Sequence, residues 1–168
     1  MISSELILLL VAAGLVLVAL AVFVWSMYHD SIQYERLEMS TPVFDRAGFS
    51  MDSLPQESYL RLERIYLLGR KVAQMEFFIQ PQWTAWLRVA MHGQELRLED
   101  WAMPEFDQLA MRVVDGVRVE LRQEQNGAVL IQWEKDGFDY ALYLPQTEMG
   151  LAGGMMEVFV TDSHAKYQ

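Results

Sequence analysis

Glu95, Glu99, Asp100, Glu105 and Asp107 crowd five carboxylates into one stretch of the chain. Carboxylates in unlike surroundings can divide into a general acid and a general base, and several facing one another can take a hard cation such as calcium. These five lack the D-x-[DN]-x-[DN]-G spacing of a calcium loop, so the stretch reads first as a solvated loop between strands. A second kind of chemistry lies in Trp83, Trp86 and Trp101, large rings able to wall a ligand groove, although rings of this size also serve simply to fill a core. His29, His92 and His164 stand apart, none with a second His at ligand spacing, and there is no Cys. A metal site of several N or S ligands, thiol catalysis and disulfides therefore find no support, and no cofactor is implied. The P-loop, G-x-G-x-x-G, H-E-x-x-H and G-x-S-x-G patterns are all missing from the sequence. No residue is assigned a catalytic role, and the expectation is a non-enzymatic protein.

Charge narrows the partners. The 168 residues carry 13 Lys and Arg against 23 Asp and Glu, a net charge of −10, with a pI near 4.7. A phosphate-tracking surface needs clustered cations, so nucleic acid is excluded. Hydrophobic residues make up 52% of the chain, which argues against disorder.

Much of that hydrophobicity is local. Leu6 to Trp25 is an uncharged, proline-free run of 20 residues. As a helix it would span roughly 30 Å, the hydrocarbon thickness of a bilayer, with Trp25 and Tyr28 at the interface. A cleaved signal peptide would want a basic leader and a small-residue cleavage site. Neither is present, so residues 1–28 read as an uncleaved anchor in contact with the lipid bilayer through residues 6–25. Only Glu5 precedes His29, so residues 29–168 carry 13 − 22 = −9. A domain this acidic is expected to stand off an anionic lipid surface. Arg36 and Arg46 flank the run on its C-terminal side, a weak positive-inside cue for a cytoplasmic domain.

Any site must be positioned by the elements C-terminal to the apolar run. Residues 29–57 read as a juxtamembrane linker and an irregular lead-in broken by Pro42, Gly48 and Pro55. Residues 58–168 read as an antiparallel sheet with a C-terminal helix at about 147–161 capped by Thr147, and then a frayed tail. Tyr59–Leu68, preferred as strand over helix, Val72–Ile79 and Trp83–Met91 form the first strands. Downstream, turn chemistry sets register. A three-residue loop holding Gly127 pairs Leu121 with Ile131 and Val119 with Trp133, which puts Trp133 in the core. A two-residue Asp136-Gly137 loop pairs Trp133 with Tyr140, Ile131 with Leu142 and Val129 with Leu144. A three-residue loop ending at Gly116 pairs Val113 with Val117, Met111 with Val119 and Leu109 with Leu121, so that four strands share one apolar face and leave the other wet. Gly153-Gly154 in the helix is read as room for close helix–sheet approach. The fold class is α+β: a transmembrane helix, then an antiparallel β-meander covered by a C-terminal helix.

Val114-Asp115-Gly116-Val117, Trp133, Gly137, Tyr140 and Leu142 resemble the core of the extracytoplasmic domain of unknown function that follows one membrane helix in Gram-positive anti-sigma-like and sporulation-associated proteins. The resemblance implies a sheet-plus-helix domain outside the membrane, without assigned catalytic residues. It does not carry over sigma-factor binding, because such members place a cytoplasmic domain before the helix and five residues precede the apolar run here. The functional expectation is a single-pass membrane protein presenting a binding or sensing domain to a protein or small ligand. An accessory subunit of a larger membrane complex is the alternative, and an enzyme using the 95–107 carboxylates comes third.

Overall fold

A two-residue Asp-Gly loop forces positive φ at both positions, the type I′ geometry whose twist matches that of paired strands. Asp115 and Gly116 adopt φ 48° and 79°, and Asp136 and Gly137 adopt 55° and 82°. These turns organise the computed structural model, which describes residues 14–23, 34–37, 43–101, 108–124, 127–145 and 149–168. The chain divides into two units, Met1–Ile32 and Gln33–Gln168.

In the first unit, residues 14–23 form helix α1, exposed throughout. No helix among the described residues is long and apolar enough to cross a membrane. The rest of the expected anchor, with Trp25, Tyr28 and His29, lies outside the described residues.

The second unit is built mainly of antiparallel strands. In chain order the described strands are β1 (Tyr34–Leu37), β2 (Val43–Phe44), β3 (Phe49–Ser53), β4 (Leu60–Leu68), β5 (Val72–Ile79), β6 (Trp83–Met91), β7 (Gln108–Val114), β8 (Val117–Gln123), β9 (Val129–Lys135), β10 (Phe138–Leu144) and β11 (His164–Tyr167), with helix α2 (Met149–Asp162) before the last. Eight strands make one sheet in the order β1-β4-β5-β6-β10-β9-β8-β7, and β11-β3-β2 make a second. Two meanders, β4 to β6 and β7 to β10, thus meet where β6 pairs with β10. The expected meander and C-terminal helix are present, and Leu60–Leu68 is a strand with a bulge between Leu62 and Arg64.

One face of the large sheet carries the main core. Ile65, Met75, Leu87, Val119, Ile131, Trp133, Tyr140 and Leu142 pack there under Met155, Phe159 and Val160 of α2 and under Phe44, Phe49 and Ala165 of the small sheet. Lys135 Nζ caps the C-terminus of α2, donating to Val160 O at 2.7 Å and Thr161 O at 2.9 Å. Tyr140 Oη accepts the Ala165 N–H at 2.9 Å, and burial pushes its phenol up to about 12, so it stays neutral.

Several expectations are corrected. Stretches 34–37, 43–44 and 49–53 within the supposed linker and lead-in are strands, and the supposedly frayed tail pairs with β3. Short segments with no periodicity of their own gain their order from distant partners. The Asp115-Gly116 loop has two residues, pairing Val114 with Val117, Arg112 with Val119 and Ala110 with Leu121. This is one residue off the expected register. It turns Leu109, Met111 and Val113 outward, 64%, 48% and 73% exposed. Gly153 and Gly154 approach nothing, since a Cβ on either would meet no atom within 4 Å. The Thr147 cap lies outside the described residues. The face expected to be wet is also partly dry.

Candidate functional site

That second face is organised by a charged residue. Arg88 lies in β6 with its side chain completely buried. Strand alternation puts Trp86 and Arg88 on one face and Trp83, Ala85 and Leu87 on the other. Cross-strand pairing then sets Gln74 beside Arg88, Glu76 beside Trp86, Tyr66 beside Gln74 and Tyr143 beside Trp86.

The segment after β6, residues 92–101, crosses this face as a strap. Arg88 holds it down. Its Nη1 donates to Arg97 O and, at 3.5 Å, to Leu96 O, and its guanidinium lies over the Trp101 ring, 4.4 Å from the centroid. Its Nε donates to Gln74 Oε1 at 2.8 Å, and Nη2 to Tyr34 Oη of β1 at 3.2 Å. Burial pushes the guanidinium down to about 10, so the group remains charged at neutral pH. Arg97 adopts φ 55°, a left-handed conformation that turns the strap at the point Arg88 grips.

Trp101 at the strap's end is 2% exposed. It stacks on Tyr143 with centroids 5.2 Å apart and planes 16° apart, while Trp86 lies 5.6 Å from Tyr143 and 6.4 Å from Trp101. Ala128, Leu130 and Ala141 complete this second cluster. Each aromatic pair adds about 0.5–1.5 kcal/mol beyond area burial.

Between strap, β1 and the sheet lies a cavity of about 400 Å³ lined by Tyr34, Tyr66, Gln74, Glu76, Trp86 and Trp101, within the roughly 300–1,000 Å³ range of small-molecule sites. Tyr34 and Tyr66 meet edge to face at 5.8 Å. Its polar edge is a chain of hydrogen bonds: Arg88 to Gln74, then Gln74 Nε2 to Glu76 Oε1 at 3.1 Å, with Arg64 Nη1 at 3.5 Å from Glu76 Oε2. Trp101 Nε1 is buried and has no hydrogen-bond partner among the described residues.

On the strap's other side a larger groove, about 740 Å³, is lined by residues that include Arg97, Glu99, Glu120 and Arg122. Two charge pairs lie within it: Arg122 Nε donates to Glu120 Oε1 at 2.6 Å, and Arg97 lies 3.7 Å from Glu99, while Glu95, Arg118 and Asp139 also line it. The smaller cavity is distinguished by aromatic rings at four of its six described lining residues.

Of the expected groove residues, Trp86 and Trp101 meet at the cavity. Trp83 does not; it packs against the main core on the opposite face. Glu95 and Glu99 are exposed on the strap, whereas Glu105, Asp107 and the side chain of Asp100 lie outside what is described. Sequence reading passed over Tyr34, Tyr66, Gln74, Glu76 and Arg88. It also missed His92, Glu134 and Asp139, whose donor atoms lie within 4.8 Å of one another. There His92 Nδ1 sits 3.0 Å from Asp139 Oδ1, and Gly93 N–H donates to Asp139 Oδ2 at 3.1 Å. The hydrogen bond and charge of Asp139, with the charge of Glu134, raise the His92 pKa. No family model, curated protein or solved structure matches the chain.

Proposed function

We propose that the protein is a membrane-tethered binding or sensing module rather than an enzyme, with its domain outside the membrane, and that the cavity beside the strap is its ligand site. The observation that carries this is four aromatic rings, a carboxamide and a carboxylate converging on one volume. Among the described residues Glu76 is its one acidic lining residue, and its hydrogen-bonding neighbours there are Arg64 and Gln74. Support for the tether comes from α1, apolar and exposed on every side, a pattern found in helices that face lipid or a partner. The test is a fragment screen on the full chain in lipid nanodiscs, read by ligand-observed NMR. Bound fragments whose signals vanish in Trp86→Ala support the reading, and a screen without such fragments overturns it. Docking onto a larger membrane complex is the second reading, favoured by the exposed apolar row Leu109, Met111 and Val113.

A further inference from the structure

The cavity's hydrogen-bonding groups select among ligand classes. Tyr34 Oη accepts from Arg88, which leaves its own proton to donate. Trp101 contributes its ring to the wall, while its Nε1–H is buried out of reach of a ligand in the open cavity. Glu76 is an acceptor with spare lone pairs, because its two contacts occupy only part of its capacity. Gln74 commits its oxygen to Arg88 and one of its two amide hydrogens to Glu76.

An organic cation would satisfy Glu76 but offer nothing to the Tyr34 hydroxyl proton, and it would approach the Arg88 charge. The protein's acidic net charge steers cations at long range, but that field is screened beyond about 8 Å at physiological salt, whereas Arg88 touches three of the lining residues. An anion would satisfy the Tyr34 donor but meet Glu76. Its natural partner, Arg88, is already engaged with Gln74, Tyr34 and the strap carbonyls. Hydroxyl groups both donate and accept, and a ring bearing them presents an apolar C–H face to aromatic walls. We propose that the cavity takes a neutral polyhydroxylated ring, a sugar unit, stacked on Trp86 and the tyrosines and hydrogen-bonded by Tyr34 and Glu76.

This rests on reading the cavity as a ligand site, so the experiment separates the two. Methyl glucoside, methyl N-acetylglucosaminide, tetramethylammonium, benzoate and adenosine are titrated onto the full chain in nanodiscs by saturation-transfer NMR. The expected result is transfer to glycoside ring protons. It falls at least tenfold in Trp86→Ala and roughly threefold to tenfold in Tyr34→Phe, which removes one hydrogen bond at an exposed position, and it is unchanged in Trp83→Phe. Should Trp86→Ala fail to fold, Tyr34→Phe and Glu76→Gln carry the test. Silent glycosides with a bound cation, benzoate or adenosine that Tyr34→Phe or Trp86→Ala weakens overturn the sugar proposal and leave the ligand site standing. Silence from every probe overturns both.

Discussion

Arg88 joins its own strand to β5, to β1 and to the strap, so its removal should be felt far beyond its own volume. Arg88→Met leaves Gln74 Oε1 and the strap carbonyls without their donor. A loss of about 3–5 kcal/mol is expected in denaturant unfolding, the scale seen when one partner of a buried charged network is removed. Arg88→Lys should recover little, because a point ammonium cannot span four acceptors held in a planar fork's geometry. His92 gives a milder prediction with a definite sign. Its pKa is raised above 6.5, first by the Asp139 hydrogen bond, so the folded state binds the proton more tightly than the unfolded one. The stabilisation is fully present below pH 6.5 and is lost as pH rises through the elevated value. NMR titration should place His92 above 6.5, and Asp139→Asn should bring it down; a His92 that titrates at or below 6.5 would refute the contact. Part of the cavity was legible in the sequence. The opposite parity of Trp83 and Trp86 announces that one of them faces a second layer, and the same parity puts Arg88 beside Trp86. What the sequence withheld is that a strap and a distant strand cover that face, because both depend on contacts across the chain.

At the level of elements, β7 is where two local rules conflict. Keeping Leu109, Met111 and Val113 on the dry face demands a three-residue loop, while Asp115-Gly116 favours a two-residue type I′ turn. The turn wins because β7 is an edge strand, where outward apolar side chains forfeit little core. Val113→Lys and Leu109→Ser should therefore shift unfolding free energy by less than about 0.5 kcal/mol, as surface changes do. Losses of about 2 kcal/mol or more, those of a core truncation, would restore the other register. The β8–β10 registers were readable because interior strands have no such latitude: a one-residue slip there buries Gln132 and Glu134. In α2, nothing crowds Gly153 or Gly154, so Gly154→Ala should stabilise by about 1 kcal/mol through helix propensity alone, measured as a raised Tm. Any loss would mean close packing after all. β1, β2, β3 and β11 escaped sequence reading because strands of two to five residues carry too little periodicity to register.

Across the whole molecule, the large sheet ends in two unlike edges. The β7 edge has seven residues and the outward row, whereas β1 has four residues, pairs only with β4 within the sheet, and leaves Tyr34, Glu35 and Arg36 exposed. β1 is nevertheless the strand that brings Tyr34 to the cavity, and it is the strand nearest in sequence to the apolar N-terminal segment. Its fastenings are few. Beyond its pairing with β4 and the packing of Leu37 against the main core, those among the described residues are the Tyr34–Arg88 hydrogen bond, the Tyr34–Tyr66 contact and an exposed Glu35–Arg46 ion pair of 2.5 Å, the last worth about 0–1 kcal/mol and weakened by salt. Such a strand belongs at the low-stability end of local opening, while β9 and β10, paired on both sides, open only with the whole domain. Hydrogen exchange on the full chain should therefore show β1 amides exchanging orders of magnitude faster than those of β9 and β10, faster still in high salt and in Tyr34→Ala. Equal protection of β1 and β10 would refute this ordering. A glycoside that fills the cavity binds partly through Tyr34, so it must favour the docked strand by the part of its binding energy that Tyr34 supplies. Slower β1 exchange with β10 exchange unchanged is the expected sign that occupancy favours the docked β1.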